Sequence, residues 1–137
     1  MTEDIVIGID NGRPRKKRLL VVDDNKDFTE MAQHIFGAEF DVLSEDEGQP
    51  GLRKCLEWQP DVVLLDVNMP SMNGIEFLRL MSQDPALATI PVVVITASDF
   101  NGITESLARR YTNMSAFITK LSPPEVVREK ILKAMVK

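Results

Sequence analysis

The chain has 137 residues, 44% hydrophobic and 27% charged, which is the balance of an ordinary soluble domain with length enough for one core. A formal net charge of −5 argues against nucleic-acid binding by electrostatics, and no apolar run approaches the ~20 residues that span a bilayer. A single cysteine excludes an internal disulfide or a cysteine-cluster metal site, and the acidic start MTEDIVIGIDNG is unlike a signal peptide, so the chain reads as cytoplasmic.

Residues 1 to 18 read as a flexible extension, because Asn11-Gly12 and Pro14 break any periodic pattern. Arg13, Arg15, Lys16, Lys17 and Arg18 form a basic cluster, read as a solvated lead-in in preference to a contact for RNA, membrane or an acidic partner. The folded domain is expected over 19–137. Leu19-Leu20-Val21-Val22 predicts a short buried strand ending in Asp23-Asp24-Asn25. Phe28, Met31, Ala32, Ile35 and Phe36 predict an amphipathic helix closed by Gly37, with His34 on its surface. Phe40 to Leu43 predicts a second strand, followed by an acidic loop over 44–48. Leu52, Cys55 and Leu56 mark a helix with Trp58 at its end and Pro60 stopping it, with Cys55 a buried hydrophobe.

Val62 to Leu65 is a continuous apolar run, as in a strand buried on both faces, and it ends at Asp66. Asn68-Met69-Pro70-Ser71-Met72-Asn73-Gly74 is turn chemistry, and Gly74 opens a helix through Ile75, Phe77, Leu78 and Met81. Pro91 to Ile95 predicts a fourth strand that delivers Thr96-Ala97-Ser98. Ile103, Leu107 and Tyr111 predict a fourth helix, and Ala116 to Thr119 a fifth strand ending at Lys120. In Ser122-Pro123-Pro124-Glu125, Ser122 is expected to cap the last helix, whose inward stripe is Val127, Ile131, Ala134 and Met135. Five strands alternating with five helices imply βαβ units and a doubly wound parallel sheet of α/β class.

Parallel strands place Asp23, Asp24, Asp66, Thr96 and Lys120 on one edge, where open α/β sheets bind ligands. Crowded carboxylates repel one another unless a cation intervenes, and oxygen ligands with water suit Mg²⁺. A hydroxyl and an ammonium beside that cation can hold the other oxygens of a phosphoryl group, so the set points to phosphoryl chemistry with a carboxylate nucleophile.

On these residues the chain resembles a response-regulator receiver domain of two-component signalling, from about Leu19 to the C-terminus. The resemblance implies a flavodoxin-like sheet of strand order 2-1-3-4-5 and a phosphorylation-controlled switch, not a classical enzyme. It implies Asp66 as phosphoacceptor, Asp23 and Asp24 as the pair holding Mg²⁺, and Asn68 lending a backbone carbonyl to that ion. Met69-Pro70 and Gly74 match the family's turn, Thr96 the switch hydroxyl beside small Ala97, Phe117 the aromatic switch position, and Lys120 the family lysine. Implied partners are a sensor histidine kinase or phosphotransfer protein and a downstream protein target, with no nucleic acid or membrane bound by this domain. A homodimer through the fourth helix, fifth strand and last helix is also implied.

Three departures from the family pattern stand out. Leu121 follows Lys120 where the family usually has proline after a cis bond, and a non-proline cis bond costs ~3 kcal/mol. Asn113-Met114-Ser115-Ala116 replaces the usual Gly-Ala before the fifth strand. No DNA-binding or enzymatic output domain is read after the last helix, as in a stand-alone receiver or one cut at a domain boundary. Two other readings remain: a phosphorylation-independent binding module, and an aspartate-nucleophile phosphatase of the dehalogenase type. The second wants an Asp where Asn68 stands.

Overall fold

The computed structural model describes residues 6–10, 13–69, 72–97 and 102–136, with side chains from Arg15 onward. The elements in order are β1 (Val6–Asp10), β2 (Arg13–Val22), α1 (Lys26–Phe36), β3 (Phe40–Glu45), α2 (Gly48–Trp58) and β4 (Val62–Asp66). Then come α3 (Gly74–Gln83), β5 (Val92–Thr96), α4 (Ile103–Ala108), β6 (Met114–Thr119) and α5 (Pro124–Ala134).

The parallel strands lie in the order β3-β2-β4-β5-β6, which is 2-1-3-4-5 when β2 is counted first. Alternation along each strand divides the core into two layers. Leu20, Val22, Val63, Leu65, Val92 and Val94 face one layer with Phe77, Leu78 and Met81 of α3. Leu19, Val21, Val62, Leu64, Val93 and Ile95 face the other, under Ala32 and Phe36 of α1 and Val127 and Ile131 of α5. With both faces covered, β4 and β5 are buried at every position, so their ends at Asp66 and Thr96 are held by their neighbours.

The described part of the N-terminal segment differs from the flexible extension expected for residues 1 to 18. β1 pairs antiparallel with β2, Val6 opposite Lys16 and Asp10 opposite Arg13, and β2 itself begins at Arg13. Val6, Ile7 and Ile9 are strand formers, and Asn-Gly is the strongest two-residue hairpin signal. Arg18 is also tied down: its backbone N–H donates to Asp61 Oδ2 at 2.7 Å, and its guanidinium lies 5.4 Å from the Trp58 ring centroid.

Three helix details differ as well. Met31 and Ile35 are 38% and 36% exposed, and Thr29 takes the inward place beside Ala32 and Phe36. α4 stops at Ala108 with Ile103 59% exposed, and Tyr111 packs on the core from beyond the helix. Pro123, not Ser122, is the N-cap of α5; Ser122 is drawn back by its N–H bond to the Thr119 carbonyl.

Candidate functional site

The carboxyl ends of β2, β4 and β5 and the residue after β6 converge. After Val22 the chain turns at Asp23, whose Oδ1 accepts from the Asn25 N–H at 2.9 Å. The Asn25 side chain then caps α1 by accepting from the Phe28 N–H at 3.1 Å. One Asp-Asp-Asn run therefore both starts the helix and fixes the Asp23 carboxylate. Asp66 Oδ1 accepts from the Asn68 N–H at 3.0 Å, an Asx turn that ends β4. Gly74 closes that loop by donating its N–H to the Val67 carbonyl at 3.0 Å. A Cβ at Gly74 would fall 2.6 Å from Val67 Cα, so only glycine permits this approach.

Thr96 Oγ1 accepts from the Asn68 side-chain amide at 2.7 Å, and the Thr96 carbonyl accepts from the Lys120 N–H at 2.8 Å. The second bond sets the base of Lys120. Its ammonium reaches Asp23 Oδ2 at 2.8 Å and Asp66 Oδ2 at 3.4 Å. It also stands 4.7 Å from the Phe28 ring centroid, an aromatic neighbour for the cation that the periodicity of α1 alone does not reveal.

Asp23, Asp66 and Thr96 are 1%, 3% and 2% exposed, while Asp24 is open to solvent, so the site is buried on one side and accessible on the other. Burial raises the Asp23 carboxyl above its ordinary range; the Lys120 ammonium and the Asn25 N–H pull it back, and the charge of Asp66 pushes it up again. Asp23 Oδ2 is buried and makes no hydrogen bond of good geometry; the Lys120 contact is an ion pair in which that oxygen keeps lone pairs unused.

One carboxylate oxygen from each of Asp23, Asp24 and Asp66 lies within 4.8 Å of the others. Three carboxylates against one ammonium leave an excess of negative charge and hard oxygen donors. That donor set fits a small divalent cation such as Mg²⁺.

Asp23, Asp24, Asp66, Asn68, Thr96 and Lys120 are thus brought together. Phe117 stands apart, half-buried on β6, and lines with Thr96, Ala97, Gly102 and Glu105 a cavity of about 410 Å³. Pro70, Ser71 and Ser98 fall outside the described residues. Among those described there is no cis peptide bond, so Lys120–Leu121 is trans, and Leu121 is 87% exposed. Cys55 is fully buried, its thiol pushed up to about 12 by desolvation, which suits a core residue and not a nucleophile. No helix among the described residues is long and apolar enough to cross a membrane.

Comparison with known proteins bears on the fold and the family. In fold the chain is similar to the chemotaxis response regulator CheY4 of Vibrio cholerae, with TM-score 0.78 at 23% identity, covering 86% of this chain and 98% of that one. A CheY-like receiver domain protein from Methanospirillum hungatei gives TM-score 0.78 at 23% identity over 87% and 93% of the two chains. In sequence the chain is 36% identical to the response regulator PleD of Caulobacter vibrioides over 104 residues, 75% of this chain and 22% of that protein. It is 37% identical to the DNA-binding response regulator MtrA of Mycolicibacterium smegmatis over 83 residues, 60% of this chain and 35% of that protein. The aligned regions span about a third or less of these relatives' lengths. The family model of the response regulator receiver domain matches residues 19–132, and by that match the chain belongs to this family of two-component signalling domains.

Proposed function

We propose that this receiver domain is a switch operated by phosphorylation of Asp66, taking its phosphoryl group in a Mg²⁺-dependent reaction from a histidine kinase or phosphotransfer partner in the cytoplasm. One observation carries the reading. The Asp66 carboxylate is nine-tenths buried at a strand end, faced by the Lys120 ammonium at 3.4 Å and by the carboxylates of Asp23 and Asp24.

Asp66 Oδ2 is the oxygen nearest Lys120, since Oδ1 is held by the Asn68 N–H. In the reaction an Asp66 oxygen forms the new P–O bond while the bond from phosphorus to the donor's leaving atom breaks. Lys120, already between Asp23 and Asp66, balances the charge that accumulates on the equatorial phosphoryl oxygens. Asp23, Asp24, Asp66 and the Asn68 carbonyl are the groups that would hold Mg²⁺, which supplies electrostatic stabilisation of phosphoryl oxygens. Thr96 is placed to hold a further oxygen once its hydroxyl leaves the Asn68 amide. The chain assists transfer to and from its own carboxylate, and its output is a changed surface for a downstream protein. A homodimer through α4, β6 and α5 is one form that surface is expected to take.

The test is intact-mass spectrometry after incubation with acetyl phosphate. The wild type is expected to gain one phosphoryl adduct that needs Mg²⁺ and is lost in Asp66→Asn. An adduct of equal yield in Asp66→Asn would place the acceptor elsewhere. Turnover of an external phosphomonoester would favour the phosphatase reading.

A further inference from the structure

At the opposite end of the sheet from the acidic site lies a cavity of about 610 Å³, whose walls include Lys17, Asp61, Thr89, Asn113, Ser115 and Met135. Its size falls within the range of small-molecule pockets, roughly 300–1,000 Å³. Asn113 is 5% exposed, and neither its side-chain oxygen nor its nitrogen finds a hydrogen-bond partner among the described residues. An amide buried without partners is unfavourable, and most native cases have a reason. Its backbone is fixed, because the Asn113 carbonyl accepts from the Val92 N–H at 2.8 Å. Val92 pairs with Met114 and Val93 with Ala116, so Ser115 is an extra residue in β6, a bulge of the kind found beside functional sites. Lys17 forms no salt bridge among the described residues, while Asp61, the carboxylate in the same wall, is engaged by the Arg18 N–H at 2.7 Å.

We propose that this cavity is a second binding site, for a small organic anion with a flat edge carrying a donor and an acceptor side by side, the chemistry of an adenine mononucleotide. The Asn113 amide offers the complementary acceptor and donor, the pairing by which asparagine reads adenine, and engages its ligand by a turn of the side chain toward the cavity. Lys17 meets the anionic group as a point charge, the hydroxyls of Thr89 and Ser115 bond what lies between, and Met135 supplies apolar surface. The site uses none of the groups around Asp66, so the two are independent in chemistry.

AMP, adenosine and inorganic phosphate are the probes, titrated separately into the full chain and followed by amide chemical shifts and calorimetry. AMP is expected to shift residues 88–90 and 112–115, with adenosine weaker by about tenfold for want of the charge that Lys17 holds. Asn113→Leu is expected to weaken AMP by about tenfold or more. Lys17→Gln should weaken AMP but not adenosine, which tests the site even if the Asn113 variant folds poorly. Asp66→Asn should leave AMP affinity unchanged, so failure of the phosphorylation reading and failure of this one are seen separately. No binding of AMP at millimolar concentration, shifts centred on other residues, or equal affinity in Lys17→Gln and wild type would each overturn the assignment.

Discussion

Asp23 is the residue at which the site's electrostatics are most finely opposed. Its carboxylate is desolvated and crowded by Asp66, with Lys120 and the Asn25 N–H as its compensation. Crowding of this kind is a stability cost in the metal-free protein that a bound cation would relieve. Asp23→Asn keeps the shape and removes the charge, while Lys120 retains Asp66. We therefore expect the variant to melt higher than the wild type without Mg²⁺, by a few degrees for about 1 kcal/mol. The order should reverse with Mg²⁺, since a ligand at 100 times its Kd stabilises by about 2.7 kcal/mol only in the protein that binds it. Thermal denaturation at pH 7 with and without MgCl₂ checks both halves. Equal Mg²⁺-induced shifts in the two proteins would remove Asp23 from the metal site. Gly74 illustrates a different residue-scale constraint. It carries no chemistry, yet a methyl group there would press on Val67 and Asp66 and displace the loop that positions Asn68.

At the scale of elements, the strands were more legible than the helices and the first eighteen residues. Apolar runs such as Val62–Leu65 admit one interpretation when polar residues bound them, and the acidic and basic strand ends follow from their sequence positions. Helical faces are less constrained. On α1 the apolar set includes Met31 and Ile35, but the helix rotates to bury Thr29, whose hydroxyl is satisfied by the Lys26 carbonyl at 3.0 Å. The β1–β2 hairpin is not legible in the sequence, because the cations of Arg13 to Arg18 outweigh the Asn-Gly signal that follows the β-branched Val6, Ile7 and Ile9. The Asn68–Thr96 hydrogen bond joins residues far apart in sequence, and no local pattern announces it. One long-range pair is open to direct test. Arg128 on α5 holds Glu39, between α1 and β3, through two bonds of 2.5 Å, and this pulls the Glu39 carboxyl below its ordinary value of 4.5. A depressed carboxyl stabilises the fold above its unfolded value, and that contribution is lost as pH falls through the folded one. Both side chains are partly in solvent, so the effect is at most ~1 kcal/mol. Glu39→Gln is expected to cost that much at pH 7 and to approach the wild type near pH 3. Chemical denaturation at the two pH values measures it, and a difference that persists unchanged at low pH would assign the effect to packing.

At the scale of the whole molecule, the question is how a charge at Asp66 would reach the surface of α4, β6 and α5 proposed as the output face. A phosphoryl group brings about −1.5 to −2 charge and three strong acceptor oxygens. In the present arrangement the Thr96 hydroxyl is bonded to the Asn68 amide at 2.7 Å, and beyond it lies the 410 Å³ cavity bordered by Phe117. Drawing Thr96 toward Asp66 breaks that bond and enlarges the space behind β5, where Phe117 is the large side chain able to turn in. Two packings of this kind are alternative minima, because a dense interior does not deform continuously. The phosphoryl group selects between them only by the difference in its fit, and a shift from 1:99 to 99:1 takes about 5.5 kcal/mol. Amide chemical shifts with beryllofluoride as phosphoryl mimic report the population directly. In the wild type, changes are expected around Asp66 and also through residues 102 to 119. Thr96→Ala is expected to keep the first set and lose most of the second, because the hydroxyl that links them is gone. Phe117→Ala should keep the response of Thr96 while that of α4 and α5 collapses. Changes confined to the neighbours of Asp66 in the wild type would show that the charge is not transmitted by this route, and persistence of the distant changes in Thr96→Ala would show that Thr96 is not the link.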